Sequence, residues 1–232
     1  MSHGSNTASA TTGISGKTWL VTGAARGLGL SLTRYLAAHG ARVLALSRTP
    51  GPLAGHTGVT HIPYDQACET AIHAAAAAVP GPVDYVIHNA AIRGDTGGLE
   101  TLTGADLSEV MQINVAGPLI LTRALLPVLA SGAVLGFISS RAGSFTEGHD
   151  PDGDYAYCLS KAALNRAVAK LADDLPYTVL AIHPGWMSTD MGGQDAPEDP
   201  DSAAEKIVSL LSRADRPKTG KIVDSSGLEI AP

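Results

Sequence analysis

Seven short runs, most of them continuously apolar and separated by longer stretches with helical spacing, leave this chain very few ways to fold. From residue 17 onward the runs 18–22, 42–47, 59–63, 83–88, 133–139 and 178–182, with a short one near 221–224, read as strands. Between them 27–39, 66–79, 104–129, 155–174 and 201–213 carry apolar residues every three to four positions and read as helices. A strand that is apolar at successive positions is covered on both faces, and strands alternating with helices build repeated βαβ units. Right-handed crossovers then give a doubly wound, mostly parallel α/β sheet with helices on both faces. Its ligand crevice lies at the carboxyl ends of the strands, so residues just after each strand are the candidates for chemistry.

The 232 residues, 44% hydrophobic and 16% charged, suffice for one core, and no repeat or composition shift marks a second domain. One domain is expected over 16–232. Residues 1–15, rich in Ser, Thr, Ala and Gly, lack the basic and apolar regions of a secretion signal and read as a mobile tail. With 16 basic against 22 acidic residues and no basic stripe, nucleic acid is excluded as a partner. Cys68 and Cys158 have no metal-type spacing and read as free thiols, consistent with a cytoplasmic protein. No run is expected to span a membrane, because the best one, 115–130, holds Arg123, Gly117 and two prolines. Gly117 and Pro118 are expected to divide 104–129 into two helices. The long irregular stretches 143–154 and 187–200 read as lids or binding loops.

Two local patterns carry chemistry. The first strand runs into Thr22-Gly23-Ala24-Ala25-Arg26-Gly27-Leu28-Gly29 just before a helix. Glycines there let the backbone approach a pyrophosphate, whose charge is favoured at the helix N-terminus. Tyr157 and Lys161 stand four apart in a predicted helix, so both emerge from one face. Upstream, Ser139 and Ser140 end an apolar strand, where sheet geometry puts reactive groups. Tyr155 has Leu159 at the equivalent spacing and lacks the lysine.

With these residues the chain resembles the short-chain dehydrogenase/reductase family, whose fold is Rossmann-type, from Lys17 to the C-terminus. The glycine motif, His88-Asn89-Ala90-Ala91, Asn114, Ser140, Tyr157-x-x-x-Lys161 and Pro184-Gly185 occur in the family's order. The run 183–193, with Ala162-Ala163-Leu164-Asn165, is similar to the branch of sniffer-type carbonyl reductases and C-factor-like proteins. The resemblance implies that Tyr157 is the general acid protonating a carbonyl oxygen, with Lys161 lowering its pKa and holding the nicotinamide ribose. It implies that Ser140 bonds the substrate oxygen and that Asn114 positions a water. Gly23, Arg26, Gly27, Leu28 and Gly29 would hold the pyrophosphate. Ser47, Arg48, Asp65, Asn89 and Ala90 would line the adenosine side, and Pro184, Gly185, Met187 and Thr189 the carboxamide. Arg93, Phe145, Trp186 and Met191 are expected at the substrate. His88 and Ala91 depart from the family's usual Asn and Gly, and Ser140 lies 17 positions before Tyr157, a longer interval than usual. Ser144 is nearer but lies beyond the strand, so Ser140 is preferred.

The second strand ends Leu46-Ser47-Arg48 with no carboxylate for a ribose 2′-hydroxyl, and Arg26 lies in the glycine turn. NADP(H) is therefore expected over NAD(H). His149, Asp150, Asp152 and Asp154 read as a solvated loop, and no metal site is assigned. Trp186 either covers the nicotinamide or packs, and His183 is expected to be structural. The leading activity is hydride transfer between a nicotinamide cofactor and a small carbonyl/alcohol pair. The alternatives are a dinucleotide-binding signalling protein and an enzyme performing a non-redox or epimerising biosynthetic step. The family's habit of pairing, and apolar residues nearly all round 155–174, imply a homodimer or homotetramer.

Overall fold

The computed structural model describes residues 13–53, 55–148 and 154–232. Seven parallel strands form one sheet: β1 (Thr18–Thr22), β2 (Arg42–Ser47), β3 (Val59–Pro63), β4 (Val83–His88), β5 (Leu129–Ile138), β6 (Thr178–His183) and β7 (Ile222–Asp224). Their order is β3-β2-β1-β4-β5-β6-β7. The winding runs outward from β1 to β3 and then returns to lay β4 beside β1, so the connections leave these two neighbours on opposite faces. That reversal opens the crevice.

Alternate residues of each strand serve opposite layers. Trp19, Val21, Val43, Ala45, Ile87, Leu180 and Ile182 pack against α1 (Gly27–Ala38) and α6 (Pro200–Ser212) through Leu32, Leu36, Ile207 and Leu211. Leu20, Leu44, Val86, Leu135, Phe137, Val179 and Ala181 share the other layer with Ile72 of α2 (Glu69–Ala77), Leu121 and Leu125 of α4 (Gly117–Leu125), and Leu164 and Val168 of α5 (Tyr155–Asp174). Each such side chain, fully buried, contributes about 1.5–3 kcal/mol relative to exposure. Trp19 and Tyr85 stack at 3.9 Å across β1 and β4, reinforcing the pair that flanks the crevice.

Four boundaries differ from expectation. Residues 1–12 of the expected tail lie outside the described residues, but Ile14 is 2% exposed and packs in the core, so the fold begins before residue 16. β5 starts at Leu129, which pairs with Val83 ahead of a register shift, and it ends at Ile138. α2 starts at Glu69 because Gln66 is drawn into tertiary bonds. The 104–129 stretch is not divided. α3 (Gly104–Met111) continues through a π turn (Gln112–Ala116) into α4, the change of helical pitch falling just before Pro118, whose ring nitrogen has no hydrogen to donate to the preceding turn. The continuous run Gly104–Val128 is, by length and composition alone, long and apolar enough to cross a membrane, contrary to the sequence expectation. Here it buries Val110, Leu121 and Leu125 completely in the fold.

Candidate active site

At the end of β1 the side chains are spent on holding backbone. Thr22 Oγ1 accepts from the amides of Asn89 (2.9 Å) and Ala90 (3.0 Å), and Asn89 Nδ2 donates to the Thr22 carbonyl at 2.8 Å. This cross-tie brings the two strand ends so close that α1 can enter only over glycine. A Cβ on Gly29 would sit 2.1 Å from the Gly23 carbonyl oxygen and 2.6 Å from Asn89 Nδ2. Gly23 itself has φ +68, a conformation that other residues rarely adopt. Arg26 precedes α1 with extended backbone and caps nothing, and the first turn holds no acidic residue. The first N–H groups of α1 therefore meet the requirement for a pyrophosphate site, with Gly27 exposed and Leu28 buried beneath.

Arg48 and Asp65, expected on the adenosine side, line an open groove of about 450 Å³ together with Pro63, Tyr64, Ala71 and Ala74. Ser47 is not presented to it in the same way: it is buried, and its hydroxyl donates to the Thr49 carbonyl at 2.6 Å. Arg26 pairs with Asp190 at 3.2 Å, both largely exposed, across the loop after β6. In that loop Gly185 has φ +98, and Trp186 and Ser188 pair with Glu198 to close its base. Thr189 and Gly27 line a second groove, of about 330 Å³. Pro184 is buried, and Met187 packs on the α1–α6 layer.

The reactive groups gather at the end of β5 and the start of α5. The Ser140 hydroxyl lies near enough to the Tyr157 phenol to favour its ionised form, and Lys161 Nζ lies 5.4 Å from the Tyr157 ring centroid. Lys161 is 2% exposed and donates to the Ile138 carbonyl at 2.8 Å. Burial pulls its pKa down to about 8. Burial also pushes the Tyr157 phenol up to about 12, outweighing the Ser140 hydrogen bond and the nearby Arg93 charge, which favour the phenolate. Lys161 is not among the groups that shift the Tyr157 phenol, on which burial has the largest effect.

Asn114, in the π turn, commits its whole side-chain amide. Oδ1 accepts from Ile92 N at 2.9 Å, and Nδ2 donates to Ile92 O (2.8 Å) and Ser160 Oγ (3.0 Å). Ser160 in turn donates to the Tyr157 carbonyl at 2.7 Å, so Asn114 ties the loop after β4 to the helix bearing the phenol.

The expected substrate residues divide. Arg93 grips Asp154 at 2.6 Å, a carboxylate immediately before α5 with 1% side-chain exposure. Asp154 is thus not part of a solvated loop, whereas His149, Asp150 and Asp152 lie outside the described residues. Phe145 is 91% exposed, Trp186 57% and Met191 39%, and Trp186 Nε1 donates to Gly192 O at 2.7 Å. Ser144 has a structural use: its buried hydroxyl donates to Ala231 O at 2.6 Å and accepts from Thr146 N and Glu147 N. Tyr155 is exposed. His183 accepts from Arg141 N at 3.3 Å. His88 stacks on Phe137 and approaches Thr122 Oγ1 at 2.9 Å, and burial lowers its pKa to about 3, so it stays neutral. Among the described residues no group of three or more His, Cys, Asp or Glu could hold a metal.

Gln66 is the supporting residue that sequence reasoning missed. It is 5% exposed and donates to Ala90 O (2.8 Å) and to Ile113 O (2.6 Å), linking the cofactor loop to the π turn. Its only sequence signal is a polar residue between Tyr64-Asp65 and an alanine-rich helix. Gly117 makes the approach possible, since a Cβ there would fall 2.4 Å from Gln66 Cγ.

Comparison with known proteins gives the same picture. Residues 17–200 match the short chain dehydrogenase family. C-signal of Myxococcus xanthus is 37% identical over 155 residues, covering 65% of this chain and 93% of that protein. The NADPH-bound carbonyl reductase from chicken fatty liver superposes with a TM-score of 0.87 at 28% identity, covering 94% of this chain and 95% of the other. The carbonyl reductase Sniffer of D. melanogaster also gives 0.87, at 26% identity over 93% of this chain and 99% of that one.

Proposed function

Because the chain belongs to the short-chain dehydrogenase family, we propose that it is an NADP(H)-dependent oxidoreductase interconverting a small ketone or aldehyde and its alcohol. The observation that carries this is the convergence of Ser140, a protonated Tyr157 and a buried Lys161 at the carboxyl end of β5. The cofactor, when bound, supplies the hydride that reaches the carbonyl carbon. Tyr157 gives its phenolic proton to the carbonyl oxygen, and Ser140 orients that oxygen by hydrogen bonding. Lys161 holds the nicotinamide ribose and, as an ammonium, favours the phenolate left after transfer. Asn114 fixes the backbone that holds a water behind Lys161.

The glycine cradle and the uncapped start of α1 suit the pyrophosphate. Arg48 and Arg26, with no carboxylate at the end of β2, support preference for the 2′-phosphate of NADP(H). Similarity to an NADPH-bound carbonyl reductase points the same way. We also propose a cytoplasmic enzyme and a homodimer or homotetramer, the latter supported by the partly exposed Ala162, Ala163, Ala167 and Leu171 of α5.

The test is oxidation of NADPH and NADH by purified protein against aldehydes, cyclic ketones, diketones and quinones. Turnover favouring NADPH supports the reading. Cofactor binding with no turnover of any carbonyl transfers support to a dinucleotide-binding signalling protein, the reading that similarity to C-signal favours.

A further inference from the structure

Asn165 stands one turn beyond Lys161 and two beyond Tyr157, so the three lie in one row along α5. The mechanism uses the first two. The third is 7% exposed, and its amide is engaged twice. Oδ1 accepts from Ser139 Oγ at 2.5 Å, and Nδ2 donates to the Gly143 carbonyl at 3.2 Å. In the chain these partners flank Ser140. Gly143 presses directly on α5, where a Cβ would fall 2.5 Å from the Lys161 carbonyl carbon. Within the turn Ser140 Oγ accepts from Ala142 N at 3.1 Å.

We propose that Asn165 is a positioning residue for Ser140, clamping both ends of the turn 139–143 to the helix that carries Tyr157 and Lys161. The serine and the phenol come from different elements, so their separation depends on how that turn sits against α5. β5 ends at Ile138, and after one further ladder bond, from Ser139 N to the Ile182 carbonyl at 2.7 Å, the chain leaves β6 and turns on the Gly143 N to Ser140 carbonyl bond at 3.1 Å. One side-chain amide bonded on both sides of Ser140 removes the freedom that remains. In a buried setting such bonds are stronger than in water, and losing one leaves its partner unsatisfied. The inference rests on the reductase reading for its kinetic consequence, though not for its geometry.

The test is a pair of mutant cycles, Asn165→Ala and Ser139→Ala, each made in wild type and in Ser140→Ala. A misplacement near 1 Å costs up to about 100-fold, so Asn165→Ala is expected to lower kcat roughly 10- to 100-fold. NADPH affinity should stay within about twofold, and the same change in the Ser140→Ala background should cost less than about threefold. Ser139→Ala, which removes one of the two bonds, should lose less and show the same non-additivity. Unchanged kcat, a parallel loss of NADPH affinity, or an undiminished loss in the Ser140→Ala background overturns the proposal. If Asn165→Ala does not fold, the Ser139→Ala cycle decides. If wild type reduces no carbonyl, the reductase reading fails by itself, and amide exchange decides the positioning. Asn165→Ala must then speed exchange at Ala142 and Gly143 while leaving Gly23 unchanged, and equal rates at all three sink it.

Discussion

The carboxyl ends of β1 and β4 and the carboxyl end of β5 open into one crevice but divide the work between backbone and side chain in opposite ways. Beside β1, Thr22, Asn89 and Gln66 spend their polar atoms on the chain itself, and what remains for a ligand is bare backbone over Gly23, Gly27 and Gly29. Beside β5 the backbone is tied down by Asn165 and packed on α5 at Gly143, while Ser140, Tyr157 and Lys161 bring together the polar atoms that the proposed reaction would use. A pyrophosphate demands many weak donors at fixed spacing, which backbone supplies. Proton transfer demands one titratable atom, which only a side chain supplies.

The largest effect that separates the two regions is expected from Tyr157→Phe. Reduction should fall about 10²–10⁴-fold while NADPH binding, read by fluorescence titration, stays unchanged. Near-normal turnover would break the assignment of chemistry to the β5 side. Gly29→Ala should do the reverse and harm binding first. Its methyl group meets the Gly23 carbonyl, and overpacking of this kind costs about 1–3 kcal/mol, visible as a lower unfolding midpoint together with weaker NADPH affinity. Arg48→Ala sharpens the comparison within the cofactor region. Losing a charge-assisted bond worth about 1.5–3 kcal/mol should cut kcat/KM for NADPH roughly 10- to 100-fold and leave that for NADH nearly as it was. An equal loss with both cofactors would count against 2′-phosphate recognition.

The pH profile should report the β5 side alone. Tyr157, raised to about 12, keeps its proton across the working range, whereas Lys161, lowered to about 8, is charged below that value and loses its charge above it. Reductive kcat/KM should therefore be level below pH 8 and fall above it, approaching about tenfold per unit. A profile level to pH 10 would contradict the Lys161 role. The smallest effect belongs to Ser144→Ala. It removes a buried hydroxyl that serves Ala231, Thr146 and Glu147, so about 1–3 kcal/mol of stability should go while most activity remains.

The strands from β1 to β4 and the glycine turn were legible because their determinants are local: continuous apolar runs, and glycines at a strand–helix junction. Tyr157 and Lys161 were legible as an i, i+4 pair, and Tyr155 could be set aside on the same spacing. Gln66 was placed inside a helix because its neighbours favour one, yet carbonyls 24 and 47 residues away draw it out. Likewise the π turn at Asn114 absorbs Gly117 and Pro118, where sequence alone suggested a break. Asp154 looked like loop because its partner, Arg93, is 61 residues distant.

By itself the sequence determined the order of strands and helices, the glycine cradle, and which tyrosine and lysine share a helix face. These follow from periodicity and backbone freedom, which act over a few neighbouring residues. The tertiary structure decided that Ser144 is taken up by Ala231, that Asn165 straddles the Ser140 turn, and that burial pushes the Tyr157 phenol's pKa up. Those outcomes depend on burial and on partners brought together from distant parts of the chain. Desolvation acts through everything packed around a group, so no spacing along the sequence encodes it.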